Sequence, residues 1–214
     1  MQKISLFDLD HTLLSANSSF LFGSYLHKRG VFKTNKWLKL ACLYFLHKLN
    51  FITLFQLQAK AFQDFFLGRK ADSLISHRDA FISHHLKKHL YTPSIERLEK
   101  AKKQGHHVYI LSNSPDFIVA PIAAYFGVEN WKSTIYALNE KGEFSFISSF
   151  FEGNDKADCL KKILASFNLE KENSIAYSDS ILDRAFLEAA GKAVAVNPDK
   201  KLKQLAVQNN WEII

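Results

Sequence analysis

The sequence predicts an α/β protein: a parallel sheet covered by helices on both faces, interrupted after its first strand by an all-helical block. Three observations lead there. Short apolar runs of strand length alternate with helical periods at the start of the chain and again after Pro93. The stretch between has helical periodicity and no convincing strand. Three of the strand runs end in polar sets, Asp8/Asp10/Thr12, Ser112/Asn113/Ser114 and Asp179/Asp183. Alternation with short turns implies a parallel sheet buried on both sides, and such sheets gather ligands at the carboxyl ends of their strands.

Lys3 to Phe7 (KISLF) is a short buried strand that runs into Asp8-Leu9-Asp10. From Ser19 to Leu90, Phe20, Phe22, Tyr25 and Leu26, then Trp37, Leu38, Leu40, Ala41, Tyr44 and Phe45, recur at helical spacing with Lys and His between them. Further helix is predicted over Phe55–Phe66 and Leu74–His89. Ser94 to Gln104 reads as a helix stopped by Gly105. Val108 to Leu111 (VYIL) is a strand leading into Ser112-Asn113-Ser114-Pro115, and Pro115 suits the first turn of a helix reaching Tyr125. Ser133–Leu138 and Phe144–Ser148 flank Asn139-Glu-Lys-Gly142 as a β-hairpin. Helix over Asp155–Phe167, strand Ser174–Tyr177 before Ser178-Asp179, helix Asp183–Ala190, strand Ala193–Val196 and a last helix from Lys200 complete the pattern.

With 214 residues, 47% hydrophobic and 23% charged, the chain has the composition of a folded domain carrying an insert, which excludes disorder and collagen-like repeats. Cys42 and Cys159 are far apart and form no CxxC or Cys/His cluster, as expected of reduced thiols in a cytosolic protein. The net charge of +7 favours anionic partners. No basic block is interleaved with stacking aromatics, so a nucleic-acid partner is not expected. Met1-Gln-Lys leads straight into a short apolar run with no long apolar leader segment. The most apolar stretch, Trp37 to Phe55, is broken by Lys39, His47 and Lys48, short of a spanning helix. A cytoplasmic location is expected.

Side chains two apart on an extended segment point the same way, so Asp8 and Asp10 address one pocket. Paired carboxylates divide labour between nucleophile or metal ligand and general acid–base. Asp179 and Asp183, four residues apart across a strand-to-helix turn, complete a set able to hold a hard divalent cation with Asp8. The competing reading is capping, above all for Asp183, which opens a helix. The Ser112 hydroxyl, with the N–H groups of Asn113 and Ser114, suits an anion at a helix N-terminus. Lys156, near the start of a helix, supplies positive charge that a phosphate dianion would need among carboxylates; a solvated surface lysine is the competing reading.

Together DLDHTLL (Asp8 to Leu14), ILSNSP (Ile110 to Pro115), the Lys in GNDKADCL (Gly153 to Leu160) and AYSDSILDRAFLEAAGKAVAVNPDKKL (Ala176 to Leu202) resemble the haloacid dehalogenase superfamily of phosphatases across essentially the whole chain. YSDSxxD and the VNPDKKL ending are most similar to subfamily IB, which includes phosphatidylglycerophosphatase C-like and phosphoserine phosphatase-like hydrolases. The resemblance implies a Rossmann-like three-layer core over residues 1–16 and 92–214, and a C1-type helical cap over 17–91. It implies Asp8 as nucleophile forming an aspartyl-phosphate, and Asp10 as acid toward the leaving alkoxide and then base toward water. Thr12, Ser112, Asn113 and Lys156 would be phosphate-binding. Mg²⁺ would sit on Asp8, the Asp10 backbone carbonyl and Asp179, with Asp183 orienting metal-bound water.

An acid at Asp10 favours phosphatase or phosphotransfer chemistry over dehalogenation, because an alkoxide leaves poorly without a proton donor. Phosphoserine is disfavoured: the relatives that use it carry a Glu shortly after the first motif, where this chain has Ser15-Ala16-Asn17-Ser18, and Ser-Gly-Gly at the second, where it has Ser112-Asn113-Ser114. His11 stands where many relatives have Gly and is expected to pack or touch the cap. The expected partner is a phosphorylated small molecule or a lipid phosphate. Trp37–Phe55 with Lys36, Lys39 and Lys48 has the composition of an interfacial segment, so peripheral contact with an anionic membrane through the cap is also an expectation. The rivals are a soluble metabolite phosphate, a phosphotransferase using the same intermediate, and a catalytically silent basic binding protein.

Overall fold

The structure, a computed structural model, describes residues 2–49 and 51–214. Met1, at the start of the expected core, and Asn50, inside the apolar stretch, lie outside the described residues. In chain order the elements are β1 (Ile4–Phe7), α1 (Ser18–Lys28), α2 (Thr34–Lys48), α3 (Leu54–Phe65), α4 (Asp72–His85), α5 (Thr92–Lys103), β2 (His107–Pro115), α6 (Asp116–Tyr125), β3 (Asn130–Leu138) and β4 (Phe144–Ser149). Then follow α7 (Gly153–Ser166), β5 (Ser174–Ser178), α8 (Arg184–Ala189), β6 (Lys192–Ala195), α9 (Lys200–Gln208) and β7 (Glu212–Ile213).

Among the described residues, seven strands form one sheet in the order β4-β3-β2-β1-β5-β6-β7. Every neighbouring pair is parallel except β3 and β4, the predicted hairpin, which pair antiparallel at one edge. The chain winds outward from β1 to β3 on one side and from β5 to β7 on the other, so the winding reverses at β1 and β5. That reversal opens the crevice in which open α/β sheets bind ligands.

Period-two alternation explains the layers. On β1, Ile4 and Leu6 face a core shared with Leu160, Phe186, Leu187 and Leu202 from α7, α8 and α9. Phe7 faces the opposite core, shared with α1, α3, α4 and α6 through Phe22, Phe62, Phe81 and Ile118. Phe7 also stacks on Tyr177 of β5, ring centroids 4.2 Å apart. The predicted helix stop holds, since Gly105 has φ 71°, a left-handed conformation that glycine adopts without a Cβ penalty. The predicted block between β1 and β2 is helical, α1 to α4, and no helix of the described residues is long and apolar enough to cross a membrane.

Several boundaries differ from expectation, chiefly at β2, while β3 begins at Asn130 and not Ser133 and α4 ends at His85 and not His89. Strand β2 continues through Ser112, Asn113 and Ser114 to Pro115, because β3 supplies partners for Ser112 and, across a register shift, for Pro115. Pro115 therefore precedes α6 as its N-cap. The short strand β7 was not predicted; two residues carry no readable period.

Candidate active site

Asp8 follows β1 directly and extends its ladder, its N–H donating to the Tyr177 carbonyl at 2.9 Å. The chain then turns tightly over Leu9–Leu13, with His11 at φ 60° and ψ 0°. This left-handed corner favours glycine, and His is among the residues that tolerate it. The bend brings Asp10 against the N-terminus of α1. Asp10 Oδ1 accepts from the Ser18 N–H at 2.6 Å, and Oδ2 accepts from Asn17 Nδ2 at 3.2 Å and from the Ser114 hydroxyl. Asn17 caps the same helix, accepting from the Phe20 N–H at 2.9 Å. The loop after β1, the start of the helical block and the end of β2 are thus tied together through one carboxylate.

Lys156 reaches the site from the first turn of α7 and is 1% exposed. Its Nζ donates to Asp8 Oδ1 at 2.6 Å and to Asp183 Oδ2 at 2.7 Å. The solvated-lysine reading is excluded. Gly153 permits the approach: a Cβ there would lie 2.1 Å from the Leu182 carbonyl oxygen, so α7 could not seat against the 181–183 turn with any other residue. Asp183 stands at the N-cap position of α8, yet its side chain caps nothing. The capping expectation gives way to ion pairing, because Oδ2 accepts from Lys156 and from the Ser178 hydroxyl, the latter at 2.7 Å.

The electrostatics are those of crowded, desolvated acids. Burial pushes the Asp8 carboxyl well above the usual carboxylate range; Lys156 pulls it down, while Asp183, Asp179 and Asp10 push it up again. Asp179 is raised to about 7, by burial and then by the charge of Asp183, against the pull of Lys156 and Lys48. Burial alone would lower the Lys156 ammonium, but the charges of Asp183 and Asp8 outweigh it and hold it above its ordinary value. One buried ammonium does not neutralise this set. Asp183 Oδ1 is buried with no hydrogen-bond partner among the described residues, an orphaned acceptor that marks missing positive charge. A hard divalent cation fits that deficit. Among the described residues no three His, Cys, Asp or Glu side chains group closely enough to hold an ion unaided.

The structure brings most of the predicted residues together. Asp8, Asp10, Asn113, Lys156, Asp179 and Asp183 line one cavity of about 170 Å³. Asp8 Oδ2 makes no hydrogen bond among the described residues and is not sealed, so one nucleophilic oxygen opens onto that cavity. Thr12 and Ser112 are wholly buried and do not line it. Thr12 donates to Asp179 Oδ1 at 3.3 Å and positions that carboxylate. Ser112 Oγ accepts from the Ser114 N–H at 3.1 Å, so that N–H, expected to serve an anion, is committed to its own strand. The expected helix N-terminus starts only at Asp116.

Three functional neighbours, and the side-chain role of Ser114, escaped the sequence reading. Ser114 and Ser178 bind Asp10 and Asp183, although both lie inside the motifs that were noticed. Tyr44 of α2 shares a 3.1 Å hydrogen bond with His11 Nε2, which makes His11 the expected contact to the helical block. Burial, then the charges of Asp10 and Asp179, pushes the Tyr44 hydroxyl up to about 12, and burial and Lys48 lower the His11 imidazole. Gln58 of α3 donates from Nε2 to the Asn113 carbonyl at 2.7 Å. Helical periodicity carried no signal for Tyr44 or Gln58, since both read as ordinary helix positions.

A cleft lined by carboxylates at the switch point of a doubly wound sheet, bordered on its other side by a helical insertion, defines the class of this α/β protein. Over residues 5–188 the chain matches the family described as haloacid dehalogenase-like hydrolase, and it belongs to that family. It is 29% identical over 126 residues to the "inhibition of morphological differentiation protein" of Streptomyces azureus, covering 58% of this chain and 46% of that protein. The chain thus spans less than half the length of the first curated relatives it matches. A histidinol-phosphatase of Neisseria meningitidis serogroup C is 23% identical over 223 residues, covering 100% of this chain and 99% of the relative. Among solved structures, a protein of unknown function from Bordetella pertussis Tohama I superposes with a TM-score of 0.87 at 22% identity, covering 100% and 99% of the two chains. A phosphoserine phosphatase described as a phospho-aspartyl intermediate analogue has a TM-score of 0.72 at 18% identity, covering 99% of this chain and 92% of that one. These likenesses show the fold.

Proposed function

We propose that the protein is a Mg²⁺-dependent phosphomonoesterase working through an aspartyl-phosphate. The observation that carries this reading is Asp8: buried, held by Lys156 at 2.6 Å through one oxygen and open to a cavity through the other. Phosphatase names among the relatives support it, and their differing substrates leave the alcohol undefined. The Asp8 oxygen attacks phosphorus, and the ester oxygen leaves as Asp10 gives it a proton. Asp10 then takes a proton from water as that water attacks the aspartyl-phosphate, releasing inorganic phosphate and restoring Asp8. Lys156 offsets charge on the phosphoryl oxygens, and Ser112, buried and off the cavity lining, holds the Ser114 N–H. Asp8, Asp179 and the Asp10 backbone carbonyl would hold Mg²⁺, which when bound supplies the positive charge that lets a dianion enter. Asp183 and Thr12 hold Lys156 and Asp179 in place. Residues 17–91 act as the cap over a core of 1–16 and 92–214.

The test is phosphate release from p-nitrophenyl phosphate with and without Mg²⁺. Wild type is active with the metal, and Asp8→Asn loses at least about 10³-fold in kcat. Equal inertness of both across lipid, sugar, nucleotide and amino-acid phosphates would favour the silent binding protein.

A second proposal is peripheral contact with an anionic bilayer from the cytoplasmic side. It is favoured by exposed apolar side chains at and beyond the end of α2, Phe45 at 61% and Phe51 at 73% exposed. The charge contribution is smaller than composition suggested. Lys39 pairs with Asp64 at 2.7 Å, Lys36 donates to the Asp64 carbonyl, and Lys48 lies over the Tyr44 ring. Co-sedimentation with anionic vesicles but not neutral ones is expected; no pelleting with either removes the proposal.

A further inference from the structure

The cavity that contains Asp8 has two chemically distinct walls. The loops after β1 and β5, the end of β2 and the first turn of α7 provide Asp8, Asp10, Asn113, Asp179 and Lys156. The helical block provides the opposite wall, where Phe22 and Leu26 of α1, Leu40 of α2, and Leu57, Ala61 and Phe65 of α3 line the same space. Most of these side chains are withdrawn from bulk water, with Leu26 at 0%, Phe22 at 1% and Phe65 at 3% exposed. They are core residues of the helical block that also border a void continuous with the nucleophile. Every acid lining the cavity belongs to the phosphoryl end. No carboxylate of α1, α2 or α3 is available there to receive the ammonium of an amino-alcohol phosphate.

We infer that the alcohol half of the substrate is hydrophobic: the apolar wall of α1, α2 and α3 selects a phosphate ester whose leaving group is an alkyl or aryl alcohol of about six carbons or more. The inference rests on the phosphomonoesterase reading of Asp8 and names its substrate class. The whole cavity, phosphoryl end included, measures about 170 Å³, comparable to the roughly 150 Å³ void that admits a benzene ring. Ser19, Tyr44, His47, Lys48 and Gln58 of the same helices also border the space, but apolar side chains outnumber them, and a multiply hydroxylated alcohol would lose more hydration against this wall than those few groups replace. An alkyl chain instead removes its own apolar surface from water.

The test is a series of soluble methyl, butyl, hexyl and octyl phosphates, with phosphoserine beside them and phosphatidate in vesicles as a separate arm. We expect kcat/KM to rise roughly threefold per added methylene until the cavity is filled, with phosphoserine below butyl phosphate. Preference for the soluble chains or for the vesicles identifies the source of the hydrophobic ester. Ala61→Phe narrows the cavity and collapses the ratio of octyl to butyl kcat/KM. Calorimetric binding of octylphosphonate against methylphosphonate, which needs no turnover, should show tighter binding and a more negative heat-capacity change for the longer chain. A flat chain-length profile in an active enzyme, or equal binding of the two phosphonates, overturns this inference and leaves the phosphatase reading intact. Absence of phosphate release from every ester defeats that reading instead, while the phosphonate comparison still decides the apolar wall.

Discussion

Replacing Asp179 by Asn should stabilise the metal-free protein while removing its response to Mg²⁺. The folded-state pKa of Asp179 is raised from 3.8 to about 7 by burial and by Asp183. A carboxyl raised on folding contributes stability below its unfolded pKa and loses that contribution as pH rises through the folded one. The loss therefore runs from about pH 4 to about pH 7. At pH 8 the ionised group costs up to about 4 kcal/mol at roughly 1.4 kcal/mol per pKa unit. Asp179 is partly exposed, and solvent screening brings the expected cost to about 2 kcal/mol. Asp179→Asn removes the charge and keeps an oxygen for the Thr12 hydroxyl. Thermal unfolding in chelator at pH 8 should then show the variant about 4–8 °C above wild type, with the gap closing toward pH 5. Added Mg²⁺ should raise the wild-type Tm by mass action and barely move the variant. A variant no more stable than wild type at pH 8, or a gap equal at pH 5 and pH 8, would refute the carboxylate-crowding argument.

Lys156→Met leaves Asp8 and Asp183 as buried acids without their shared partner, and urea unfolding should register a loss of about 3–5 kcal/mol. Adding Asp183→Asn should recover part of that loss; no recovery would mean that the pairing is not its cause. Gly153→Ala places a methyl 2.1 Å from the Leu182 carbonyl oxygen, backbone that has no rotamer to escape by. Overpacking of that kind costs about 1–3 kcal/mol, and because the same contact seats Lys156 against Asp183, kcat should fall along with Tm. An alanine variant with unchanged Tm and activity would show that the two segments move apart freely.

The strands and helices that carry the site were legible because their signals are local. Apolar runs end at Asp8, beside Ser112 and before Asp179, and those are the strand ends that meet in the sheet. The helical block was legible from its period, and the hairpin from Asn139 and Gly142. The length of β2 was not, since Ser112-Asn113-Ser114 looks like a turn until β3 lies beside it. Nor were the duties of individual side chains. Asp183 has the local signature of a cap and instead pairs with a lysine 27 residues away. Ser114 serves a carboxylate 104 residues away.

The amino-acid order by itself determined the architecture, the acids at the strand ends and the family, because each depends on periodicity and on short motifs within a few residues of one another. Only the folded chain decided that Lys156 is buried between two acids, that Thr12 turns to Asp179, and that α1, α2 and α3 give the cavity an apolar wall. Charge neutralisation and desolvation are properties of a shared volume, and residues from segments far apart in the chain enclose that volume only after packing.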